Sequence, residues 1–147
     1  MDRTFVFFKP NTVRRGLMGE ILKRFEQRGL KIIAMQFHKM TLLQAQVLYQ
    51  EHEGKAFYEP LMEFATGGPA LFMIVEGPRC VELVRHIIGN TDPLKADPGS
   101  IRADFAVSVT KNLIHASDSM ESFQREHKIF FTDEDINEYE LDVQTDL

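Results

Sequence analysis

Several features that mark well-known protein classes are missing from this sequence of 147 residues. Cys80 is its only cysteine, which excludes an intrachain disulfide and a cysteine-based zinc site and fits a reducing compartment. The apolar run from Thr4 to Phe8 is too short to cross a membrane, and no small-residue cleavage pattern follows it. We therefore expect a cytoplasmic protein without membrane contacts, whose N-terminal run forms a β-strand.

Metal-ligand spacings are missing as well. Four of the five histidines fit neither an HExxH nor a two-histidine-one-carboxylate pattern, so protein-bound zinc or iron is not expected; they are His38, His52, His86 and His127. The formal charge of −5 argues against a protein that binds nucleic acid through its overall charge, although the pair Arg14-Arg15 could attract phosphate. Nucleic acid is therefore not an expected partner.

The composition that is present is typical of a globular protein. Hydrophobic residues make up 44% of the chain and charged residues 27%, with no internal repeat or low-complexity segment. A chain of this length can bury a substantial core. We expect one domain over residues 1–147, with an acidic tail from Asp133 to Leu147 that is too short to fold separately.

Hydrophobic periodicity predicts the element order β-α-β-(α)-α-β-α-loop-β. Strands are expected at 4–8, 30–37, 70–75 and 105–109, and a long loop at 90–104. Helices are expected at 18–25, 41–49 with Thr41 as its cap, 58–64, 81–88, and from Ser117 or Asp118 onward.

This order predicts the α+β class, as a ferredoxin-like split β-α-β sandwich whose helices pack on one face of an antiparallel sheet. Because every residue from Ala70 to Val75 is apolar, both faces of that strand should be covered, and a second subunit is one expected source of the second cover.

The run from Asn112 to Ser119 contains the strongest chemical signal. It places His115, a nitrogen nucleophile near neutral pH, among small polar residues that could hold its ring. Taken alone, a histidine in such a run is more often a helix-start or loop residue than a nucleophile. The chain has neither a GxxxxGK[ST] loop nor a kinase-type glycine loop, so side chains must hold any nucleotide.

This run closely resembles the active-site signature of nucleoside diphosphate kinases, and matching features recur from Lys9 to Glu126. The resemblance implies transfer of the γ-phosphoryl group of a nucleoside triphosphate to a nucleoside diphosphate, by a ping-pong mechanism through a phosphohistidine on His115. Glu126 resembles the carboxylate that orients this histidine, and Ser117 the hydroxyl that hydrogen-bonds the glutamate.

The resemblance also implies a set of nucleotide contacts. Lys9 is similar to the lysine that reaches the ribose hydroxyls and phosphates, Asn112 to its partner on the sugar, and Tyr49 to the tyrosine beside the histidine and the transferred phosphate. The implied phosphate clamp consists of Arg85, Thr91 and Arg102. The implied base site consists of Phe57, on which the base stacks, with Leu61 and Val109 lining the cleft.

The resemblance also has consequences for nucleotide specificity and for the metal cofactor. Every base has a π-face, so stacking on Phe57 implies broad use of ribo- and deoxynucleotides, including ATP and GTP. The resemblance implies Mg²⁺ as the cofactor, arriving on the nucleotide phosphates and not on direct protein ligands, with Glu51 as a possible contact through water.

Three departures from the family pattern concern the chemistry and the assembly. Asn11-Thr12 stands where an acidic residue and glycine are common, and Ala116 replaces a frequent glycine; neither change is expected to affect the chemistry. The loop at 90–104 resembles the killer-of-prune loop that meets symmetry mates in hexamers, so a homo-oligomeric hexamer is the first expectation. The chain end lacks the usual aromatic residues, which leaves a tetramer or a dimer open.

Each of these residues also has an ordinary role when taken singly, as a solvated charge, a core residue, a turn former or a helix cap. Their joint occurrence in one ordered pattern favours the family. Two other classes stay open: a nucleotide-binding regulatory module without activity, and a structural or interaction protein. A binding module does not need a nucleophile, so His115 and Glu126 argue for the enzyme.

Overall fold

A four-stranded antiparallel sheet forms the centre of the computed structural model, which describes residues 1–109 and 111–142. The strands are β1 (Asp2–Phe8), β2 (Lys31–Lys39), β3 (Pro69–Gly77) and β4 (Ile114–Ala116). They lie in the order β2-β3-β1-β4, so β2 and β4 are the edges of the sheet. The predicted fold class is confirmed.

Seven α-helices connect and cover these strands in the described part of the chain. They are α1 (Pro10–Arg14), α2 (Met18–Gln27), α3 (Leu42–Leu48), α4 (Tyr58–Ala65), α5 (Cys80–Ile88), α6 (Ile101–Phe105) and α7 (Met120–Phe130). Short 3₁₀ helices cover Gln50–His52, Pro93–Lys95 and Asp133–Asp135. None of the described helices is long and apolar enough to cross a membrane.

The two central strands are buried on both faces, and the chain itself provides both covers. Phe5 and Phe7 of β1 pack with residues of α3, α4 and α7, whereas Val6 and Phe8 pack with residues of α2 and α5. Residues of β3 alternate between the same two clusters. The prediction of helices on one face is therefore wrong, and so is the interpretation of the apolar run 70–75 as a strand covered by a second subunit.

Most of the predicted elements are present, and the predicted helix cap is confirmed. Thr41 accepts the backbone N–H of Gln44 through its hydroxyl at 3.1 Å, while the Gln44 side-chain oxygen accepts the backbone N–H of Thr41 at 3.0 Å. This reciprocal pair satisfies two of the unpaired donors at the start of α3.

The fourth strand lies elsewhere than predicted. The alternating run 105–109 does not form a strand: α6 ends at Phe105, and Val107 and Val109 are exposed, so their alternation does not reflect burial. The strand at this edge is β4, whose three residues are too few to produce a readable period. The predicted loop at 90–104 contains a 3₁₀ turn and most of α6, which begins where the Ser100 hydroxyl accepts the backbone N–H of Ala103 at 3.3 Å.

The last helix and the tail also differ in detail. Helix α7 begins at Met120, because Ser119 is its cap and its hydroxyl accepts the backbone N–H of Ser122 at 3.0 Å. The chain then returns to the far edge of the sheet, where the backbone N–H of Asn137 donates to the Ile33 carbonyl at 2.7 Å. The final five residues, part of the segment behind the tail prediction, lie outside the described residues.

Candidate active site

His115 is in the middle of the edge strand β4, opposite Phe7 of β1. The pairing sets the histidine beside the aromatic core, with its ring centroid 5.3 Å from that of Phe7 and 6.1 Å from that of Phe5. The side chain is nevertheless 27% exposed. The nucleophile candidate is therefore held by the sheet on one side and open on the other.

One ring nitrogen of His115 is occupied by a buried carboxylate. Its Nε2 lies 2.7 Å from Oε1 of Glu126, and the Ser117 hydroxyl donates to the same oxygen at 3.0 Å. Because a carboxylate can only accept, Nε2 carries the ring proton and the lone pair resides on Nδ1. No residue in 1–109 or 111–142 hydrogen-bonds Nδ1. The arrangement therefore leaves the Nδ1 lone pair free, which is what a nucleophilic nitrogen requires.

A polar cavity of about 280 Å³ opens beside this histidine. Four cationic side chains line it, and they are Lys9, Arg85, Arg102 and Arg125. Its other lining residues are Glu51, Thr91, Asn112, Ile114, His115, Ala116, Asp118, Ser122 and Glu126. Such a concentration of cations next to a nucleophile suits a ligand with several negative charges.

Two of these cations, Lys9 and Arg102, are buried, and burial disfavours their charged forms. Burial, with a smaller contribution from Arg102, lowers the pKa of Lys9 to about 8. Burial, with a smaller contribution from Arg85, lowers the pKa of Arg102 to about 10. Both values fall because the charged form is desolvated beside like charge, so a bound polyanion relieves the cost.

Hydrogen bonds fix these cations in place. The ammonium of Lys9 donates to the Asn112 side-chain oxygen at 2.8 Å, and Arg85 donates to the Ala116 carbonyl at 3.3 Å. Arg102 donates to three backbone carbonyls, those of Ile114 at 2.6 Å, Gly89 at 3.0 Å and Asn112 at 3.4 Å. Arg102 therefore connects the segment before His115 to the C-terminal end of α5. It also lines the cavity.

The structure brings together most of the predicted site residues, but not all of them. Phe57, Leu61 and Val109 do not line the cavity; Phe57 is 50% exposed, with the Lys55 ammonium 5.7 Å from its ring centroid. Tyr49 is buried in the core below, where burial and the nearby Glu126 carboxylate raise the pKa of its hydroxyl.

Three polar or charged lining residues were given no role by the sequence analysis, and they are Arg125, Asp118 and Ser122. Arg125 directs a guanidinium nitrogen to within 3.6 Å of the second Glu126 oxygen, and only its place next to Glu126 could have suggested it. Asp118 and Ser122 hydrogen-bond each other at the start of α7. This bond, helped by Ser119 and the charge of Arg85, holds the pKa of Asp118 below its ordinary value.

Comparison with known proteins decides the family. Residues 2–136 match the sequence model of the nucleoside diphosphate kinase family. The nucleoside diphosphate kinase of Thermosipho melanesiensis is 64% identical over 147 residues, all of both chains. A solved nucleoside diphosphate kinase family protein from Babesia bovis is 42% identical with a TM-score of 0.94, covering 99% of this chain and 98% of that one. The chain belongs to the nucleoside diphosphate kinase family.

A second solved structure extends the comparison to a nucleotide complex. The halophilic nucleoside diphosphate kinase of Halobacterium salinarum, solved with CDP, is 38% identical with a TM-score of 0.95, covering 98% of this chain and 96% of that one. Members of the family transfer a phosphoryl group from a nucleoside triphosphate to a nucleoside diphosphate. The prediction of a kinase of this family is confirmed, and the two other classes left open by the sequence are not supported.

The lowered pKa of Lys9 gives the first testable prediction. A charged ammonium attracts phosphate, so nucleoside diphosphate affinity should fall as the pH rises through about 8. Because bound phosphate favours the charged form, binding should also take up protons near this pH. Calorimetric titration in buffers of different ionisation enthalpy measures both effects. Lys9→Met should remove them, whereas Lys23→Met, at an exposed lysine of α2 outside the cavity, should not. A proton uptake that survives Lys9→Met would contradict the assignment.

Proposed function

We propose that His115 is the nucleophile of a ping-pong phosphoryl transfer in which one cavity serves both half-reactions. The observation that supports this most is the pairing of a free Nδ1 with an Nε2 held at 2.7 Å by Glu126. In the first half-reaction, Nδ1 attacks the γ-phosphorus, the bond to the bridging oxygen breaks, and the nucleoside diphosphate leaves. In the second, the phosphoryl group passes to another nucleoside diphosphate and Nδ1 regains its lone pair.

The carboxylate has a defined task in this scheme. As Nδ1 forms a bond to phosphorus, the imidazole ring becomes positive, and the buried Glu126 stabilises that charge through Nε2–H. The Ser117 hydroxyl keeps the carboxylate oriented, since it donates to the same oxygen at 3.0 Å. We assign Tyr49 a supporting role in the site. Its hydroxyl is buried and close enough to Glu126 for the carboxylate charge to contribute to its raised pKa.

We assign the cations to the phosphate chain and the sugar. Arg85, Arg102 and Thr91 line the cavity and are suited to hold the phosphates. Lys9 and Asn112 form a bonded pair suited to the ribose hydroxyls, and the Lys9 ammonium is suited to the phosphates as well. Preorganised cations favour the transition state most where they do not have to move during transfer. The hydrogen bonds of Arg102 to three carbonyls meet that condition.

The family is generally dependent on a divalent cation, and we propose Mg²⁺ for this chain. No group of three or more histidine, cysteine, aspartate or glutamate side chains within residues 1–109 and 111–142 could hold a metal ion. The donor set therefore fits an ion bound through nucleotide phosphates, with Glu51 at the cavity as the side chain able to contact its water. Mg²⁺ arriving with the nucleotide would neutralise part of the phosphate charge there.

Base specificity should be weak. We assign base stacking to Phe57, with Leu61 and Val109 beside it, and no lining residue is assigned to a base edge. We therefore expect kcat/KM for GTP and CTP to agree within about a thousandfold, which corresponds to about 4 kcal/mol. In the family, the 3′-hydroxyl of the nucleotide contacts the phosphate chain and assists transfer. A 3′-deoxynucleotide should therefore react more slowly by orders of magnitude. A larger difference between GTP and CTP would reveal a base-reading contact.

Initial-rate kinetics test the ping-pong scheme directly. Because one site binds both nucleotides in turn, double-reciprocal plots at several concentrations of the second substrate should be parallel. Intersecting lines would show that both nucleotides bind together and would contradict the scheme.

We also propose that the chain, as one kinase domain over residues 1–147, forms a homo-oligomer built from dimers. A hexamer is the first expectation, with a tetramer or a dimer as the alternatives. Support comes from exposed apolar side chains on the edge strand β2 and helix α3, namely Met35, Phe37, Leu42, Leu43 and Val47. Light scattering should give an even multiple of the 17.0 kDa chain. A strictly monomeric mass at micromolar concentration would refute the oligomer.

A cytoplasmic location is a further proposal, supported by the thiol of Cys80, which is buried and forms no disulfide.

A further inference from the structure

The backbone just before the nucleophile is held by a side chain that the scheme above does not use. The Leu113 carbonyl, two residues before His115, accepts the Thr12 hydroxyl at 2.6 Å and the Lys9 backbone N–H at 2.8 Å. Thr12 is fully buried in α1, so water does not compete for its hydroxyl. The bond connects two segments that are 101 residues apart in the sequence.

The residue that this bond holds has an unfavourable backbone conformation. Leu113 has φ +79°, a value at which the side chain of a non-glycine residue crowds the backbone. Such a conformation persists only where the surroundings enforce it, and it is frequent at functional sites. The enforcing contacts here are Thr12 and Lys9 on the Leu113 carbonyl and Arg102 on the carbonyls of its two neighbours, Asn112 and Ile114.

The position of His115 depends on this entry into β4. The strand has only three residues, so the turn at Leu113 determines where it begins; besides the pairing with β1, its Ile114 and Ala116 carbonyls accept Arg102 and Arg85. Glu126 fixes the direction of the ring from the other side, at 2.7 Å from Nε2. A displaced turn would move Nδ1 relative to the cationic cavity even with the His115–Glu126 bond intact.

We propose that Thr12 is a positioning residue for His115: its hydroxyl holds the Leu113 carbonyl in the left-handed turn and thereby places Nδ1 against the phosphate. The inference rests on the proposed role of His115. Thr12 is not among the residues that line the cavity. Its effect is on alignment, and a misplacement of about 1 Å can cost on the order of a hundredfold in rate.

The test uses Thr12→Val, which keeps the shape of the side chain and removes the hydroxyl. Single-turnover formation of the phosphoenzyme from ATP should slow by about 10- to 100-fold. The apparent KM for ATP should stay within about threefold of wild type, because every cation of the cavity remains. Thr12→Ser, which restores the donor, should return the rate to near wild type.

Thr66→Val is the matched control. The Thr66 hydroxyl also donates to a backbone carbonyl, that of Met62 at 2.8 Å, but it is outside the cavity. This variant should lose stability without losing the rate of phosphoenzyme formation.

Two results would overturn the inference: an unchanged rate in Thr12→Val with only a lower melting temperature, or a Thr12→Ser variant as slow as Thr12→Val. If Thr12→Val does not fold, Thr12→Ala replaces it in the same comparison. Absence of any phosphoenzyme in the wild type would instead contradict the proposed role of His115, so the two failures are distinguishable.

Discussion

Replacement of His115 with glutamine should reduce kcat by about four to six orders of magnitude, the range observed when a catalytic nucleophile is removed from an enzyme. Glutamine preserves a polar side chain near Glu126 but offers no lone pair of comparable nucleophilicity, so the covalent route is lost. Nucleotide binding should survive, because the cations of the cavity do not depend on the imidazole. Steady-state turnover and equilibrium binding of ADP measure the two quantities separately.

His86→Gln is the control for that variant. His86 is exposed on α5 and does not line the cavity, so its loss should leave turnover within about twofold, as for an ordinary surface substitution. A His115→Gln variant that retained wild-type turnover would show that the phosphoryl group takes another route.

Arg102→Ala should affect both the reaction and the fold, whereas Arg85→Ala should affect mainly the reaction. Both cations line the cavity, and loss of either should raise the barrier by about 2 to 4 kcal/mol, expressed in kcat more than in KM. Arg102 is also buried and donates to three carbonyls, so its removal takes a charged hydrogen-bond donor from each of them, although the Asn112 carbonyl keeps the backbone N–H of Ile114 at 3.0 Å. We expect an additional loss of about 3 kcal/mol or more in unfolding free energy.

Denaturant titration and steady-state kinetics separate these two effects. Arg79→Ala is the matched control, because Arg79 lies just before α5, is exposed, and pairs only with Glu82 in the described part of the chain. It should leave kcat and stability nearly unchanged. Equal loss of stability in the Arg85 and Arg102 variants would contradict the structural role of Arg102, and an effect confined to KM would show that the cation assists binding alone.

The central sheet was largely predictable from the sequence because its signal is local. The apolar runs containing Phe5 and Ile74 form β1 and β3, and the periodic positions Ile21 and Val84 fall on buried faces of α2 and α5. Which elements cover which face is a tertiary property. An apolar run shows that both faces of β3 are covered, but it does not distinguish a second subunit from the chain's own helices.

Local sequence patterns do not predict the edge strand β4 or the geometry of the site. β4 is three residues long and depends on pairing with β1, so nothing in the run Ile114–Ala116 predicts a strand. The resemblance to the family supplied the residues that line the cavity, such as Lys9 and Asn112, but not their distances. From the family pattern alone, Thr12 was expected to have no effect on the chemistry. Its bond to Leu113 joins segments that are distant in the sequence, so only the three-dimensional structure shows it.

Detection of the phosphoenzyme tests the central claim most directly. The protein, incubated with ATP labelled in the γ-phosphate and then freed of nucleotide, should retain one label per chain that is acid-labile and base-stable, as expected for a phosphohistidine. Peptide mapping should place the label on His115, and ADP or any other nucleoside diphosphate should discharge it as the corresponding triphosphate. A wild-type protein that catalyses transfer without a labelled intermediate, or that bears the label on a residue other than His115, would contradict the account.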